Sequence, residues 1–586
     1  MRLVIAAICI LLLTVSSFAQ SDRGSITGTV TDPAKAVIQG ATVTATNKAT
    51  GSEHKTVTTE TGNYTISSLP AGLYDVSIES SGFKKLVAHD IQVQVANTTR
   101  LDGGLEVGAT SESVAVVGES SLLQTENAEQ KTNISGKMFN DLPLNFGQTF
   151  GGSIRNWLSF IQLAPGVSGS THTASINGAP GGSFKIYLEG QDVTSTNDTV
   201  WTSTVAAASV ETIGEFSIQT NNFNAEFGQV LGGVFNFTTK SGTNELHGSA
   251  YEYLTNEAFN SRRPFSTPTA ASPRPAKALD RKHDYGFAVG GPVYLPKLYD
   301  GRNKTFFFFN LERYRNVTRG SGNFATVPTD AYRRGDFSAA LTGRQLGTDA
   351  LGRPIMENAI YDPRTTRTVN GQVVRDPFPN NVIPSTLLDP VALKIQALIP
   401  NPDNGELTGN WDPKIPNQRF QSIPSVKIDH SLNQNSKLSG YWSVQNTQQI
   451  TAADGLPIPI TGRRDQTIYG HTVRVNLDQT ISPTLLIHLG AGYLRFHNPD
   501  SAPDAVTKFD AVGGIGFNGS ATEPSGFPRI VGPNLGSLLG DRGGMGAMGP
   551  QQANKFWNDK LTAVSSAIRV RGSHAYKFGG EFKQEV

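Results

Sequence analysis

The chain holds ten histidines and 49 carboxylates, yet none of them stands at a spacing that supports familiar site chemistry. No H-E-x-x-H, nor even an H-x-x-E, puts zinc ligands on one helix face. No G-x-S-x-G presents a serine on a nucleophile elbow, and no G-x-x-x-x-G-K-[ST] cradles a phosphate. One G-x-G-x-x-G occurs at Gly544, Gly546 and Gly549, but Pro550 follows it and neither a buried strand nor a helix flanks it, so it reads as a loop. The single cysteine, Cys9, lies in the leader described below, which removes disulfides, thiolate metal sites and cysteine nucleophiles from the rest of the chain. No catalytic residue, metal or cofactor is expected, and an enzyme has little to stand on.

Backbone chemistry is better represented. Between Gly108 and Gly118 the run Ser113-Val114-Ala115-Val116-Val117 is β-prone, and such an extended segment can add a strand to a partner's sheet edge through main-chain hydrogen bonds. It reads equally well as the last strand of one domain or the first of the next. Farther on, Phe227-Gly228 precedes Gly232-Gly233-Val234-Phe235-Asn236-Phe237-Thr238-Thr239-Lys240, where paired glycines allow close backbone packing and are expected to lie under a wall of strands.

These segments sit in a mostly β chain. Arg2, the apolar run Leu3 to Leu13 and the small-x-small site Ser17-Phe18-Ala19 mark residues 1–19 as a signal peptide, too short in its apolar part to span a bilayer. With 61 Gly, 32 Pro and few helix-period segments among 586 residues, strands and long loops dominate. A net charge of +1 gives no reason to expect nucleic acid. Residues 20–107 alternate apolar and polar with turns about every ten positions. That pattern reads as an antiparallel sandwich of seven or so strands, with Ile26, Gly28 and Val30 on one face and Val43 and Ala45 on another. Residues 121–244 mix short helices, expected over Ile134–Leu144 and Trp157–Leu163, with buried strands. The glycine-rich stretch from Asn145 to Asn156 leaves one connection open. From 245 to 586 about nine alternating segments of nine to thirteen residues carry Tyr, Phe and Trp near their ends, as tilted transmembrane strands do. Phe306 to Phe309 are expected to point alternately to lipid and to lumen.

Two resemblances sharpen this. "ITGTVTD" and "TETGNYTISSLPAGLYDVSIESSGF" resemble the carboxypeptidase regulatory-like, transthyretin-like domain, a sandwich without zinc. Its relatives bind glycans, so Tyr64 and Tyr74 become candidate stacking platforms, against the plainer reading of core packing. "ISGKMFNDLPLN", "RNWLSFIQLAPGV", "FKIYLEGQDV" and the Gly232–Lys240 segment resemble the plug of TonB-dependent receptors, in particular Oar-like outer-membrane proteins. That likeness implies a signal peptide (1–19), a sandwich (20–107), a linker with a TonB-contact segment at Val114 to Val117 (108–120), an α+β plug (121–244) and an incomplete antiparallel transmembrane β-barrel (245–586). It implies plug–barrel seam residues Phe227, Gly228, Gly232, Gly233, Asn236, Thr239 and Lys240. It also implies a TonB-type periplasmic partner, outer-membrane lipid and an extracellular ligand, with oligosaccharide, peptide or metal chelate all open. Nine strands cannot close a barrel of about 22, so the sequence is expected to be the N-terminal part of a longer receptor. The competing expectation is an adhesion or glycan-binding surface protein, anchored in the outer membrane by its barrel and without transport.

Overall fold

The structure is a computed structural model. It describes residues 23–109, 113–117, 128–136, 138, 155, 157–169, 174–194, 206, 208–224, 226–228, 230–261, 277–319, 326–412, 415–451, 455–517, 526–530, 548–550 and 556–586. The signal peptide, most of the first plug helix and Gly544 and Gly546 lie outside these residues.

The N-terminal strands are β1 (Gly24–Thr31), β2 (Thr42–Asn47), β3 (Glu53–Val57), β4 (Asn63–Leu69), β5 (Gly72–Glu79), β6 (Lys85–Val93), β7 (Thr98–Arg100), β8 (Gly103–Gly104) and β9 (Ser113–Val117). They form two sheets, one ordered β4-β1-β7 with β8 also on β1, the other β3-β2-β5-β6-β9. Period-two alternation turns Ile26, Val30, Val43, Ala45, Tyr64, Tyr74, Val76 and Ile78 into a shared core from which water is excluded. Gly28 has no room for a side chain, because a Cβ there would lie 1.8 Å from Leu101 O. The sandwich departs from a purely antiparallel one. β7 and β8 pair in parallel with β1, and β9 in parallel with β6, because the chain crosses between sheets before returning beside each earlier strand.

Tyr64 and Tyr74 are corrected by this packing. Both rings are 0% exposed, with their hydroxyls donating to Leu101 O at 2.7 Å and Pro70 O at 2.8 Å. Inward positions on β4 and β5 leave neither face open for a sugar.

The second unit centres on β10 (Gln130–Ser135), β11 (Phe184–Leu188), β12 (Gln191–Asp192), β13 (Ile213–Asn221) and β14 (Gly233–Thr239), ordered β10-β13-β14-β11-β12. Its core joins Trp157, Phe160, Phe184, Phe216, Phe235 and Phe237, with Phe216 and Phe237 stacked at 4.7 Å. Trp157–Leu163 is a short 3-10 helix, as its spacing suggests. Ile134 and Ser135, expected to open a helix, instead finish β10, where pairing with Phe216 and Glu215 outweighs the local capping signal.

The third unit is a ten-stranded antiparallel sheet. Its main path runs in chain order through β15 (His247–Thr255), β16 (Leu279–Pro292), β17 (Thr305–Arg319), β18 (Asn417–Asn433), β19 (Ser436–Thr451), β20 (Arg464–Ser482), β21 (Leu485–Asn498), β22 (Phe556–Arg571) and β23 (His574–Glu585). These strands coincide with the nine alternating segments of the sequence. Phe306 and Phe308 are buried on the inner face while Phe307 and Phe309 point outward, and Trp442, Tyr469, Trp557 and Phe578 also stand exposed on the outer face. An apolar outer face with a polar inner one is what lipid requires of a strand wall. Among the described residues no helix is long and apolar enough to cross a membrane. At one end the strands are joined by tight turns; at the other, loop residues Val327, Ile399, Ile460, Val506, Phe527 and Met548 pack into a core of their own.

Candidate functional site: a plug keyed into the strand wall

The five-stranded unit lies against the inner face of the wall, and its apolar core continues into Tyr441, Ile468, Leu494 and Phe496 of β19 to β21. Three buried polar anchors orient it. On one flank Arg155 enters a carboxylate cage. Its Nη1 donates to Glu211 at 2.8 Å, and its guanidinium lies 3.6 Å from Asp284 of β16 and 3.7 Å from Glu312 of β17. The neighbouring rings of Tyr251 and Tyr253 on β15 both pack against the same group, at 4.3 and 4.4 Å. Ser209 Oγ donates to Glu312 at 2.7 Å, adding a second link between the two units. Burial alone would push the Glu211 carboxyl up, but Arg155 and Lys240 hold it below its ordinary value.

A second cluster carries the reverse polarity. β11 and β12 meet through the two-residue turn Glu189-Gly190, with φ of 51° and 73°. A turn with both central residues in the left-handed region favours Asn-Gly or Gly-Gly, so glutamate there holds local strain of about 1 kcal/mol. Its carboxylate explains its presence: Oε1 accepts from Thr239 N at 2.6 Å, Thr239 Oγ1 at 2.8 Å and Lys427 Nζ of β18 at 2.9 Å. Burial works against this charge, and Lys427 with the Thr239 N–H outweighs it, keeping Glu189 below its usual range. Three residues on, Asp192 faces Lys583 of β23 at 2.8 Å, Lys185 at 3.3 Å and Lys560 of β22 at 3.9 Å. Its burial is likewise outweighed, by Lys560, Lys185 and Lys583, so the carboxyl stays well below its ordinary value. Gly492 on β21 makes space for the turn, since a Cβ would come within 2.7 Å of Gln191 Cδ.

The plug thus offers a cation to acidic strands and carboxylates to basic strands. In a water-poor interior each charge is tolerated only while its partner is in place, so the keying fixes one orientation. No group of three or more His, Cys, Asp or Glu side chains among the described residues is placed to hold a metal.

The seam residues fall partly into this site. Thr239 binds Glu189, and Lys240 pairs with Glu211 at 3.3 Å. Phe227 packs on Tyr187 at 5.8 Å, while Asn236 sits in mid-sheet between Ser217 and Tyr187. Gly228 has open space around it. Gly232 and Gly233 need correcting: their close neighbours are Ile176, Ser183 O and Gln219 O. The crowding is inside the plug sheet, not under the wall. Val114, Ala115, Val116 and Val117 form β9, away from the keyed face, held to Leu86, Val87, Ala88 and His89 of β6. Sequence reasoning missed Arg155, Glu189, Asp192, Asp284, Glu312, Lys427, Lys560 and Lys583. One signal was available: the strand charges among them all fall on the inward parity of their strands, where an outer-membrane wall accepts charge.

Comparison with known proteins agrees with this architecture. The outer membrane beta barrel domain family matches residues 238–585, and the carboxypeptidase regulatory-like domain family matches residues 25–106. The TonB-dependent transporter Oar of Myxococcus xanthus is 30% identical over 337 residues, 56% of this chain and 30% of that protein. The chain therefore spans under a third of that relative's length. Among solved structures, the outer membrane transporter YddB from Escherichia coli is 10% identical, over 78% of this chain and 48% of that one, at a TM-score of 0.42. The ferric enterobactin receptor PfeA from Pseudomonas aeruginosa is 10% identical, over 78% and 57%, at a TM-score of 0.36. With more than half of its residues matched by one family, and with a polar-lined strand wall carrying an apolar outer face, this chain belongs to the outer membrane β-barrel domain family, and its residues 25–106 match the carboxypeptidase regulatory-like domain family.

Proposed function

We propose that the protein is a plugged outer-membrane transporter driven by a TonB-type periplasmic partner that captures Val114 to Val117, taking up a ligand whose class, whether oligosaccharide, peptide or metal chelate, stays open. The observation that carries this reading is the plug keyed to the wall by buried charges of opposite polarity. A unit held by ion pairs can be released by water entering the lumen, whereas a purely apolar contact of that size resists such release. The sandwich and turn end face the periplasm and the long loops face outward. Ligand binding at the loop end favours release only to the extent that its affinity differs between seated and released plug.

Deleting Ser113–Val117 tests this. Normal surface display with loss of binding to the purified periplasmic domain of a TonB-type protein is the expected result. Retained binding, or lost cell–cell contact with binding intact, would turn the reading to an adhesion protein.

A further inference from the structure

The sandwich is seated on the turn end of the strand wall. Thr56 Oγ1 donates to Pro483 O at 2.6 Å, Thr59 Oγ1 to Gly572 O at 3.0 Å, and Asn244 N to Ala49 O at 2.9 Å. These contacts reach the β20–β21 turn, the β22–β23 turn and the passage from plug to β15. At their centre Asp478 of β20 accepts from Ser68 Oγ at 2.8 Å, lies 2.7 Å from His488 Nδ1 and stands 3.7 Å from Arg23. Beside it Lys437 of β19 donates to Ser52 Oγ and to His54 Nε2, the latter at 2.5 Å. Burial first, then the Lys437 charge, holds the His54 imidazole well below its ordinary value, so the ring is neutral and its Nε2 can accept. Both sides line one cavity of about 60 Å³ that includes His54, Ser68, Lys437 and Asp478.

The contact is held by hydrogen bonds and an ion pair, with the apolar Leu486 beside them in the cavity lining. Each hydrogen-bonding group can exchange its partner for water on separation, which marks a reversible interface and not a fused core. The sandwich is also linked to the plug, through Lys131 Nζ to Ala96 O at 2.9 Å and Val95 N to Glu215 at 3.2 Å. β9 lies at the edge of the same sandwich and pairs with β6, which leads directly into Gln94–Ala96. A pull on β9 therefore bears on the sandwich through its pairing with β6.

Resting on the transport reading, we propose that the sandwich is a reversible cover on the periplasmic mouth of the barrel, seated at rest on the Asp478 pocket and lifted by force applied at Ser113–Val117. Residues 20–586 contain no cysteine, so single cysteines report cleanly. In resting outer membranes, maleimide should label S68C and T56C at least tenfold more slowly than the exposed control E106C. D478A, or K437A as a second release variant, should bring both to within twofold of the control. Labelling of S68C and T56C at the control rate in the unreleased protein overturns the cover. Adding the TonB-type periplasmic domain should raise labelling several-fold, and binding without that rise overturns the lifting step. Absence of any binding overturns the transport reading, an outcome read separately because resting protection does not depend on the partner.

Discussion

Arg155 shows at the scale of one residue how the plug is held. Its guanidinium has three carboxylates within 3.7 Å and two tyrosine faces about it. Arg155→Ala leaves Asp284 and Glu312 buried without their cation, which costs about 3 to 5 kcal/mol. A fall of the thermal midpoint, together with protease cleavage inside residues 155–239 in intact membranes, is the expected outcome. Glu215 behaves differently, because no cation among the described residues stands beside it. Burial pushes its carboxyl up to about 7, against one hydrogen bond from Val95 N. An acid raised above its unfolded value of about 4.3 ionises first in the unfolded chain, so its contribution is fullest below that value and is lost as pH rises toward 7. The thermal midpoint should therefore decline between pH 5 and 7, and Glu215→Gln should flatten that decline.

At the scale of elements, the β11–β12 hairpin is the plug's contact with the basic side of the wall, and it fits because β21 carries glycine opposite Gln191. Gly492→Val places methyl groups where Gln191 Cδ and Thr562 Oγ1 already lie within 3 Å of a Cβ. Overpacking of this kind costs about 1 to 3 kcal/mol. It should loosen the hairpin, seen as faster amide exchange in Phe184–Asp192 with the strand wall unchanged. The nine long strands were legible in the sequence because each alternates over its length and ends in aromatics. The start of the first plug helix was misread because Ile134 and Ser135 look like a capped helix locally and gain more by pairing with β13. The parallel placement of β9 was open for a related reason, since a β-prone run does not say which edge it will join.

Across the whole molecule, the plug's two anchored flanks sit on different strands, Arg155 among β15 to β17 and Glu189 with Asp192 on β18, β22 and β23. Sites that share no partner add nearly independently. Combining Arg155→Ala with Lys427→Ala should give the sum of the two losses to within about 0.5 kcal/mol, measured as denaturant midpoints. A larger combined loss would mean that the flanks communicate through the plug core.

Composition and alternation alone determined the mainly β character, the sandwich, the strand wall and the lack of cysteine beyond Cys9 and of nucleophile motifs, because these depend on periods of two and on residue types. Tertiary structure alone decided that Tyr64 and Tyr74 are core residues, that the seam glycines pack within the plug, and which carboxylate meets which cation. Glu189 and Lys427 are 238 positions apart, and no local pattern encodes a contact made only when two separately folded surfaces are pressed together.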